Sequence, residues 1–298
     1  DALIVRPCTV DAAVPAIEKA MDKGIPVIIS NRSTSTTKYV TQNTTPATEI
    51  GRLQGKWLAA QLKGKGKIVS IEGPAGSGPQ IERFQGAMAE LARYPDIQIL
   101  ARKATMWSRA EAKTAMEDYL QAFKQIDGVL SQAGMMSIGA AEALSEAGIP
   151  ACKIPMTGDD YNGWMKWIAA NKCGMIATNP NYQGAVSIVA ALMILNGQPV
   201  PKQWNIPSKA YDASTIHEVV VPNRTDEWYP SILPADWKIS PCRESQLLKT
   251  GGNGTSATRK KRPKPGKPAG TTVHISSRAN WTRTRQCPLL SPSRANPN

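Results

Sequence analysis

The chain has 298 residues, of which 41% are hydrophobic and 20% are charged, a balance typical of one large or two ordinary globular domains. No apolar run approaches the roughly 18 residues that a membrane-spanning helix needs, which argues against a membrane-embedded protein. The formal net charge of +13 would by itself indicate a nucleic-acid or anionic-membrane partner.

The positive charge is concentrated at one end of the chain. Residues 238–298 hold 13 Lys and Arg against one acid, Glu244, which leaves 23 basic and 22 acidic residues in 1–237. The tail is rich in Pro, Gly, Ser and Thr and has no apolar period, so we expect residues 238–298 to be disordered. Its ArgLysLysArgProLysPro run is similar to a nuclear-localisation signal, but an out-of-frame extension or a natural disordered tail explains it better. We therefore expect no nucleic-acid partner.

Cysteine and histidine usage argues against several classes of site. The five cysteines form no CxxC pair, and the chain has only two histidines, His217 and His274. This argues against a zinc ribbon, a redox dithiol and a histidine-based hydrolytic triad, and we expect neither a metal nor a cofactor. For Cys152 and Cys173, buried free thiols are favoured, although a disulfide between them stays open.

Short β-branched runs alternate with amphipathic stretches, a pattern typical of βαβ units and parallel sheets. The first predicted helix is capped by Asp11 and buries Val14, Ile17 and Met21; a later one begins with Ser108 as cap and Glu111 three residues on. The predicted strands are 2–5, 25–30, 38–42, 67–72, 97–102, 128–132, 154–157 and 175–178, with extended segments at 204–212 and 216–221. The predicted fold class is a doubly wound α/β protein.

Polar residues follow several of these strands, where open parallel sheets bind ligands. Arg, Asp, Asn and a tryptophan occur there without a nucleophile–base pair. Carboxylates and guanidinium groups bind vicinal hydroxyls, and an indole packs on the C–H face of a sugar ring. This chemistry favours a sugar or polyol site over a reaction centre.

A glycine-rich loop after the strand at 67–72 offers a second interpretation. Gly73, Gly76 and Gly78 approximate the first turn of a dinucleotide-binding fold, and Arg102 with Lys103 could meet a 2′-phosphate. An NADP-dependent oxidoreductase is the distant alternative, because no Tyr-x-x-x-Lys pair or acid/base dyad accompanies the loop.

Four ordered motifs carry a family resemblance. They are DALIVRPCTVDAAVPAIEKAMDKGIPVIISNRST, IGRLQGKWLAAQL, KIVSIEGPAGSGPQIERFQGAMAEL and IPMTGDDYNGWMKWI. The chain up to about residue 220 resembles the periplasmic sugar-binding proteins of ABC importers, the ribose-binding-protein-like type I class. The resemblance implies two Rossmann-like lobes with parallel sheets joined by a three-strand hinge, and a monomer that takes a small sugar from the periplasm to a membrane permease without catalysis.

The resemblance also implies ligand contacts. Asn31 and Arg32 match a polar pair after a first-lobe strand. Arg83 matches an arginine that follows the glycine turn of the second lobe, and Trp107 matches an aromatic residue that stacks on the ligand.

Two further matches are less regular. Asp160 matches an acidic residue before an Asn-Gly turn, with Asp159 as the competing choice. Ala133 stands where the family has a ligand amide, which makes Gln132 the substitute, and Thr178 replaces a ligand glutamine. These departures leave the identity of the sugar open.

The same comparison divides the chain. The first lobe is 1–43 with 179–205, the second is 44–178, and 206–237 form the last crossover and a C-terminal cover. The family's opening two βα units have no counterpart, so we expect an N-terminally truncated fragment with an incomplete first lobe, an exposed strand edge and weak or no sugar binding. A signal peptide is not visible, and in a fragment this says nothing about compartment.

The effector domain of a ribose-operon-repressor-like regulator has the same fold and is the alternative. The upstream sequence would separate the two.

Overall fold

The computed structural model describes residues 1–229, which belong to a unit spanning Asp1–Ile232. The predicted tail at 238–298 lies outside the described residues. The strands are β1 Leu3–Val5, β2 Val27–Ser30, β3 Thr41–Thr44, β4 Lys65–Glu72, β5 Asp96–Ala104, β6 Gly128–Ser131, β7 Met175–Ala177, β8 Gln203–Asn205 and β9 Ala210–Asp212. The helices are α1 Val14–Asp22, α2 Ala47–Gln61, α3 Gly78–Leu91, α4 Arg109–Ala122, α5 Gly134–Glu146, α6 Asn162–Asn171 and α7 Gln183–Leu195.

Two parallel sheets organise these elements. The first has the order β1-β2-β3-β8 and the second the order β5-β4-β6, and β7 pairs antiparallel with β9. Central strand residues such as Val27, Ile29, Ile68 and Val69 are fully buried, because helices cover both faces of each sheet. The predicted α/β class with parallel sheets is confirmed.

The chain leaves the first sheet after β3, returns to it from the β7–β9 pair after β7, and leaves it again after β8. These passages are bonded to one another. The Ile206 amide donates to the Thr44 carbonyl at 2.8 Å, the Thr178 amide donates to the Lys209 carbonyl at 2.9 Å, and the Thr45 amide donates to the Gln183 side chain at 3.3 Å. The lobe boundaries predicted from the sequence stay a prediction.

Helices α2 and α3 approach closely because glycine lines their contact. A Cβ at Gly51 would lie 1.8 Å from the Arg83 carbonyl oxygen, and a Cβ at Gly86 would lie 1.9 Å from that of Thr48. Any side chain at either position would push the helices apart. The close contact of α2 with α3 therefore fixes the position of the Arg83 backbone relative to the second sheet.

Several local predictions were wrong. Helix α1 begins at Val14 with Ala13 as its N-cap, because the side chain of the predicted cap, Asp11, accepts a hydrogen bond from Ser35 instead. The strand predicted at 38–42 forms at Thr41–Thr44. Ser108 does cap α4, accepting from the Glu111 amide at 3.3 Å, as predicted.

One predicted strand, 154–157, and one predicted extended segment, 216–221, also differ. Residues 154–157 contribute only a single parallel bridge, from Met156 to Val129. Within 216–221 the chain forms a 3₁₀ turn, Ile216–Glu218, that buries Ile216 and Val219. Side chains three residues apart share a face in such a turn, so the apolar run is buried without forming a strand.

Cys152 and Cys173 form a disulfide, with Cα atoms 5.6 Å apart. The sequence prediction that favoured free thiols at Cys152 and Cys173 was therefore wrong. The bond joins the loop after α5 to the end of α6. Cys8 is free and exposed, whereas Cys242 and Cys287 lie outside the described residues.

Strand β1 forms an edge of the first sheet, as predicted. It has a strand neighbour on one side only among the described strands, and Leu3 and Ile4 are 43% and 45% exposed. Ile188 on α7, a helix that packs on this sheet, is also exposed. None of the described helices has the length and apolar character required to cross a membrane.

Candidate functional site

Arg83 is the centre of a polar cluster at the carboxyl ends of the second sheet's strands. Its side chain is 4% exposed, and its guanidinium donates to Asp159 Oδ2 at 3.1 Å and to the Gln132 carbonyl. A buried guanidinium needs such partners, because an unpaired buried charge is very costly. The close contact of Gly51 with the Arg83 backbone holds this arginine in place.

Two adjacent carboxylates lie beside Arg83 and have different partners. Asp159 Oδ1 accepts from the Gly134 amide at 2.8 Å, at the start of α5, while Oδ2 pairs with Arg83. Asp160 Oδ1 accepts from the Asn179 amide at 3.0 Å. Burial, followed by the negative charge of Asp159, raises the pKa of Asp160 to about 7. Asp159 therefore holds the arginine, and Asp160 is the carboxyl group that titrates near neutrality.

Trp107 lies against this cluster. Its backbone is left-handed, with φ of 57°, three residues after the end of β5. Its ring covers Gly73 so closely that a Cβ there would lie 2.1 Å from it. The Arg83 guanidinium lies 5.4 Å from the indole centroid, within cation–π range. The ring is half-buried, so the predicted ligand-stacking residue lies beside the predicted ligand arginine.

The side chain of Gln132 is hydrogen-bonded at both ends within the protein. Its Oε1 accepts from the Gly73 amide at 3.0 Å, and its Nε2 donates to the Gln80 carbonyl at 2.9 Å. Thr178 is similar, because its Oγ1 accepts from the Lys209 amide at 2.9 Å in the passage between the sheets. These bonds orient both side chains, and the second N–H of Gln132 and the O–H of Thr178 remain as donors for a ligand.

The first sheet contributes Asn31 and Arg32. Asn31 has a left-handed φ of 65° and is fixed through its backbone, which bonds to Asn43 and Thr44. Arg32 donates to the Cys8 carbonyl at 3.2 Å. Burial lowers the pKa of Arg32, and the positive charges of Arg6 and Arg83 lower it further. Arg32 and Arg83, from different sheets, therefore lie close enough to feel each other's charge.

The strand ends of the two sheets face each other. Ser33, after β2, contacts Gly78 at the start of α3, where a Cβ would lie 2.2 Å from the serine Oγ. Four buried polar atoms along these facing edges have no hydrogen-bond partner among the described residues: Arg32 Nε, Ser33 Oγ, Ser77 Oγ and Arg83 Nε. Buried polar atoms without partners are uncommon in native proteins, so these facing edges are the candidate site for a polar ligand.

The sequence prediction missed one aromatic residue of this cluster, Tyr229. Its ring packs edge-on against Tyr161, with centroids 5.6 Å apart. Burial raises the pKa of Tyr229, and the charges of Asp159 and Asp160 raise it further. No sequence signal marks Tyr229, because the long segment between it and the carboxylates has no motif that fixes its path.

The geometry of the glycine-rich loop does not favour a nucleotide. Gly73 and Gly78 make room for Trp107 and Ser33. Arg102 is committed to Glu72 by two hydrogen bonds of 2.7 and 2.9 Å. In the described part of the chain no three His, Cys, Asp or Glu side chains are grouped to hold a metal ion.

Two parallel sheets joined by three passages, with polar clusters at facing strand ends, define the class of periplasmic binding proteins. The family model described as a periplasmic binding protein domain matches residues 1–199, and the chain belongs to this family. Its members are binding proteins rather than enzymes.

Three similar proteins show the range of the family. A xylitol-binding protein of Mycolicibacterium smegmatis is 34% identical over 195 residues, which are 65% of this chain and 55% of that protein. The periplasmic binding component of an arabinose ABC transporter from Shewanella has a TM-score of 0.70 and 25% identity, over 73% of this chain and 75% of that one. A fructose-binding periplasmic domain of a hybrid two-component system has a TM-score of 0.69 and 30% identity, over 73% of each chain.

Proposed function

We propose that this protein is the substrate-binding component of an ABC-type sugar importer. It captures a small sugar or polyol between the two sheets and delivers it to a membrane permease. The observation that carries the proposal is the set of buried, unpartnered polar atoms at the facing strand ends, which includes Nε of both Arg32 and Arg83. Such donors bind sugar hydroxyls, and the half-buried face of Trp107 offers the apolar surface that a sugar ring needs.

The pairing of charge at the centre of the site supports an uncharged ligand. The guanidinium of Arg83 is paired with Asp159 at 3.1 Å. A charged ligand beside this pair would carry an uncompensated charge in a partly buried place. The nearly neutral body of the protein agrees with this assignment.

The disulfide supports an extracytoplasmic location. Cys152 and Cys173 are bonded, and such bonds persist in oxidising compartments but are rare in the cytosol. We therefore propose a periplasmic location. The same argument disfavours a cytoplasmic repressor domain. A monomeric state, the lack of catalysis and the lack of a nucleic-acid partner stay expectations from the sequence.

The proposal is tested by titrating xylitol, L-arabinose and D-fructose into the protein by calorimetry. Because the chain spans 55% of the xylitol-binding relative, both the 298-residue chain and the complete gene product are titrated. Arg83→Met should weaken binding at least tenfold, since a hydrogen bond from a charged group contributes about 1.5–3 kcal/mol.

Arg93→Met is the matched control, because Arg93 is exposed and pairs only with Glu90 among the described acids. It should bind as the wild type does. Equal affinities of the wild type and a folded Arg83→Met variant for a bound sugar would refute the proposal.

A sugar-sensing domain is the second candidate, since one similar structure is the periplasmic domain of a two-component system. Its ligand site would be the same, but its partner would be a histidine-kinase module and not a permease. Coupling of the purified protein to a permease reconstituted in vesicles, seen as sugar uptake, separates the two.

A further inference from the structure

A C-terminal segment, residues 221–229, is held at the start of helix α6. The first amides of a helix have no partner within it. Here the Asn162 amide donates to the Trp228 carbonyl at 3.1 Å, and the Gly163 amide donates to the Asp226 carbonyl at 3.0 Å. The segment therefore caps the helix that follows directly after the two carboxylates.

The Asn162 side chain strengthens this attachment. It donates to the Val221 and Thr225 carbonyls at 3.0 and 2.9 Å, and its Oδ1 accepts from the Val221 amide at 3.2 Å. Gly163 is required beside it, because a Cβ there would lie 3.0 Å from the Asp226 Cβ. The Asn-Gly pair of the GlyAspAspTyrAsnGly motif thus has a specific structural task, which is to fix segment 221–229.

Fixing the segment brings Tyr229 to the site. The ring leans on Tyr161 at an interplanar angle of 62°, and the phenol lies near enough to Asp159, Asp160 and Arg83 for their charges to act on its pKa. The side chain stays partly exposed. Its hydroxyl makes no hydrogen bond to any residue that the structure describes.

We infer that Tyr229 is a ligand-contacting residue, and that segment 221–229 forms one wall of the sugar site. This inference rests on the proposed function. The phenol adds a neutral group that can both donate to and accept from a sugar hydroxyl. The ring edge adds apolar surface for the ligand's C–H groups. The ring also packs against the buried core of the second sheet, which leaves the hydroxyl as the part of Tyr229 that is available to a ligand.

The test compares three variants by calorimetry with xylitol, L-arabinose and D-fructose. Tyr229→Phe should weaken binding about two- to tenfold, the effect of one neutral hydrogen bond, and Tyr229→Ala should weaken it further. Tyr94→Phe, which removes a hydroxyl from a ring that packs near Gly64, should leave the affinity unchanged.

The role of the wall is tested by a double-mutant cycle. Gly163→Ala should displace segment 221–229 and weaken sugar binding as Tyr229→Ala does. The double variant should bind no more weakly than the weaker of the two single variants, because both changes remove the same contact between Tyr229 and the ligand. If Tyr229→Phe and Tyr229→Ala keep the wild-type affinity while Arg83→Met loses it, the inference is overturned and the proposed function stands. If Arg83→Met also keeps it, the proposed function fails.

Discussion

Asp160 has a carboxyl group whose protonation depends on the fold. It is almost fully buried next to Asp159, and its raised pKa means that the folded chain holds a proton that the unfolded chain releases near pH 4. Between about pH 4 and 7 the Asp160 carboxyl therefore binds more protons in the folded state than in the unfolded state. Its contribution to the free energy of unfolding falls as the pH rises through that range.

Asp160→Asn should remove this pH dependence. The amide oxygen can still accept from the Asn179 amide but cannot ionise, so the variant should gain stability relative to wild type between pH 5 and 8. Each unit of pKa shift corresponds to about 1.4 kcal/mol. Urea unfolding at pH 5 and at pH 8 measures the difference in the free energy of unfolding between the variant and the wild type.

Asp96→Asn serves as the control for this comparison, because Asp96 is exposed and lies at the start of β5. Its pH profile should follow that of the wild type. Parallel profiles for wild type and Asp160→Asn would show that the Asp160 carboxyl does not titrate in this range.

At the scale of elements, the disulfide fixes the two ends of a stretch that contains helix α6. This stretch includes both carboxylates and the Asn-Gly pair that holds segment 221–229. A closed loop of this length restricts the unfolded chain more than the folded one. The bond should therefore stabilise the carboxyl side of the site as a whole.

Replacing Cys152 and Cys173 together by Ser should lower the free energy of unfolding by about 3 kcal/mol, the value for a loop of this size. Cys8→Ser, at the free and exposed cysteine, should leave the free energy of unfolding unchanged. Thermal unfolding of both variants and of the wild type, with and without reductant, measures these effects. A wild-type midpoint that is insensitive to reductant would contradict a stabilising bond.

At the scale of the whole molecule, the sheet edge at β1 is the exposed apolar feature that bears on solution behaviour. Leu3 and Ile4 are accessible on a strand with free backbone groups on one side among the described strands. Exposed strand edges pair with other chains. The expected result is irregular self-association of the 298-residue chain, not a defined oligomer.

Ile4→Lys should reduce this self-association, because a charge on an edge strand opposes pairing. Gln121→Lys adds the same charge on the exposed surface of α4 and should have a smaller effect. Light scattering over a range of protein concentrations compares the two. Equal reduction by both variants would assign the effect to net charge alone.

Much of this architecture could be predicted from the sequence, and the failures have a common cause. Buried parallel strands such as Val27–Ser30 show their burial in a continuous apolar run, and Ser108 with Glu111 marks a helix start through local bonds alone. The disulfide, the internal bonds of Gln132 and the position of Tyr229 depend on residues far apart in the chain. The sequence could therefore indicate which residue types gather at the strand ends, but not which of them keep an unpaired atom.

The bonded passages between the sheets have a consequence for how affinity is tuned. Because Thr44 with Ile206, Thr178 with Lys209 and Thr45 with Gln183 are linked in pairs, the passages bend together, and relative motion of the sheets has few independent directions. In the proposed function, the free energy needed to bend the passages lowers the binding free energy of every sugar by the same amount. A substitution that stiffens or loosens these links would change the dissociation constants of all sugars by a similar factor and leave the ranking among them intact.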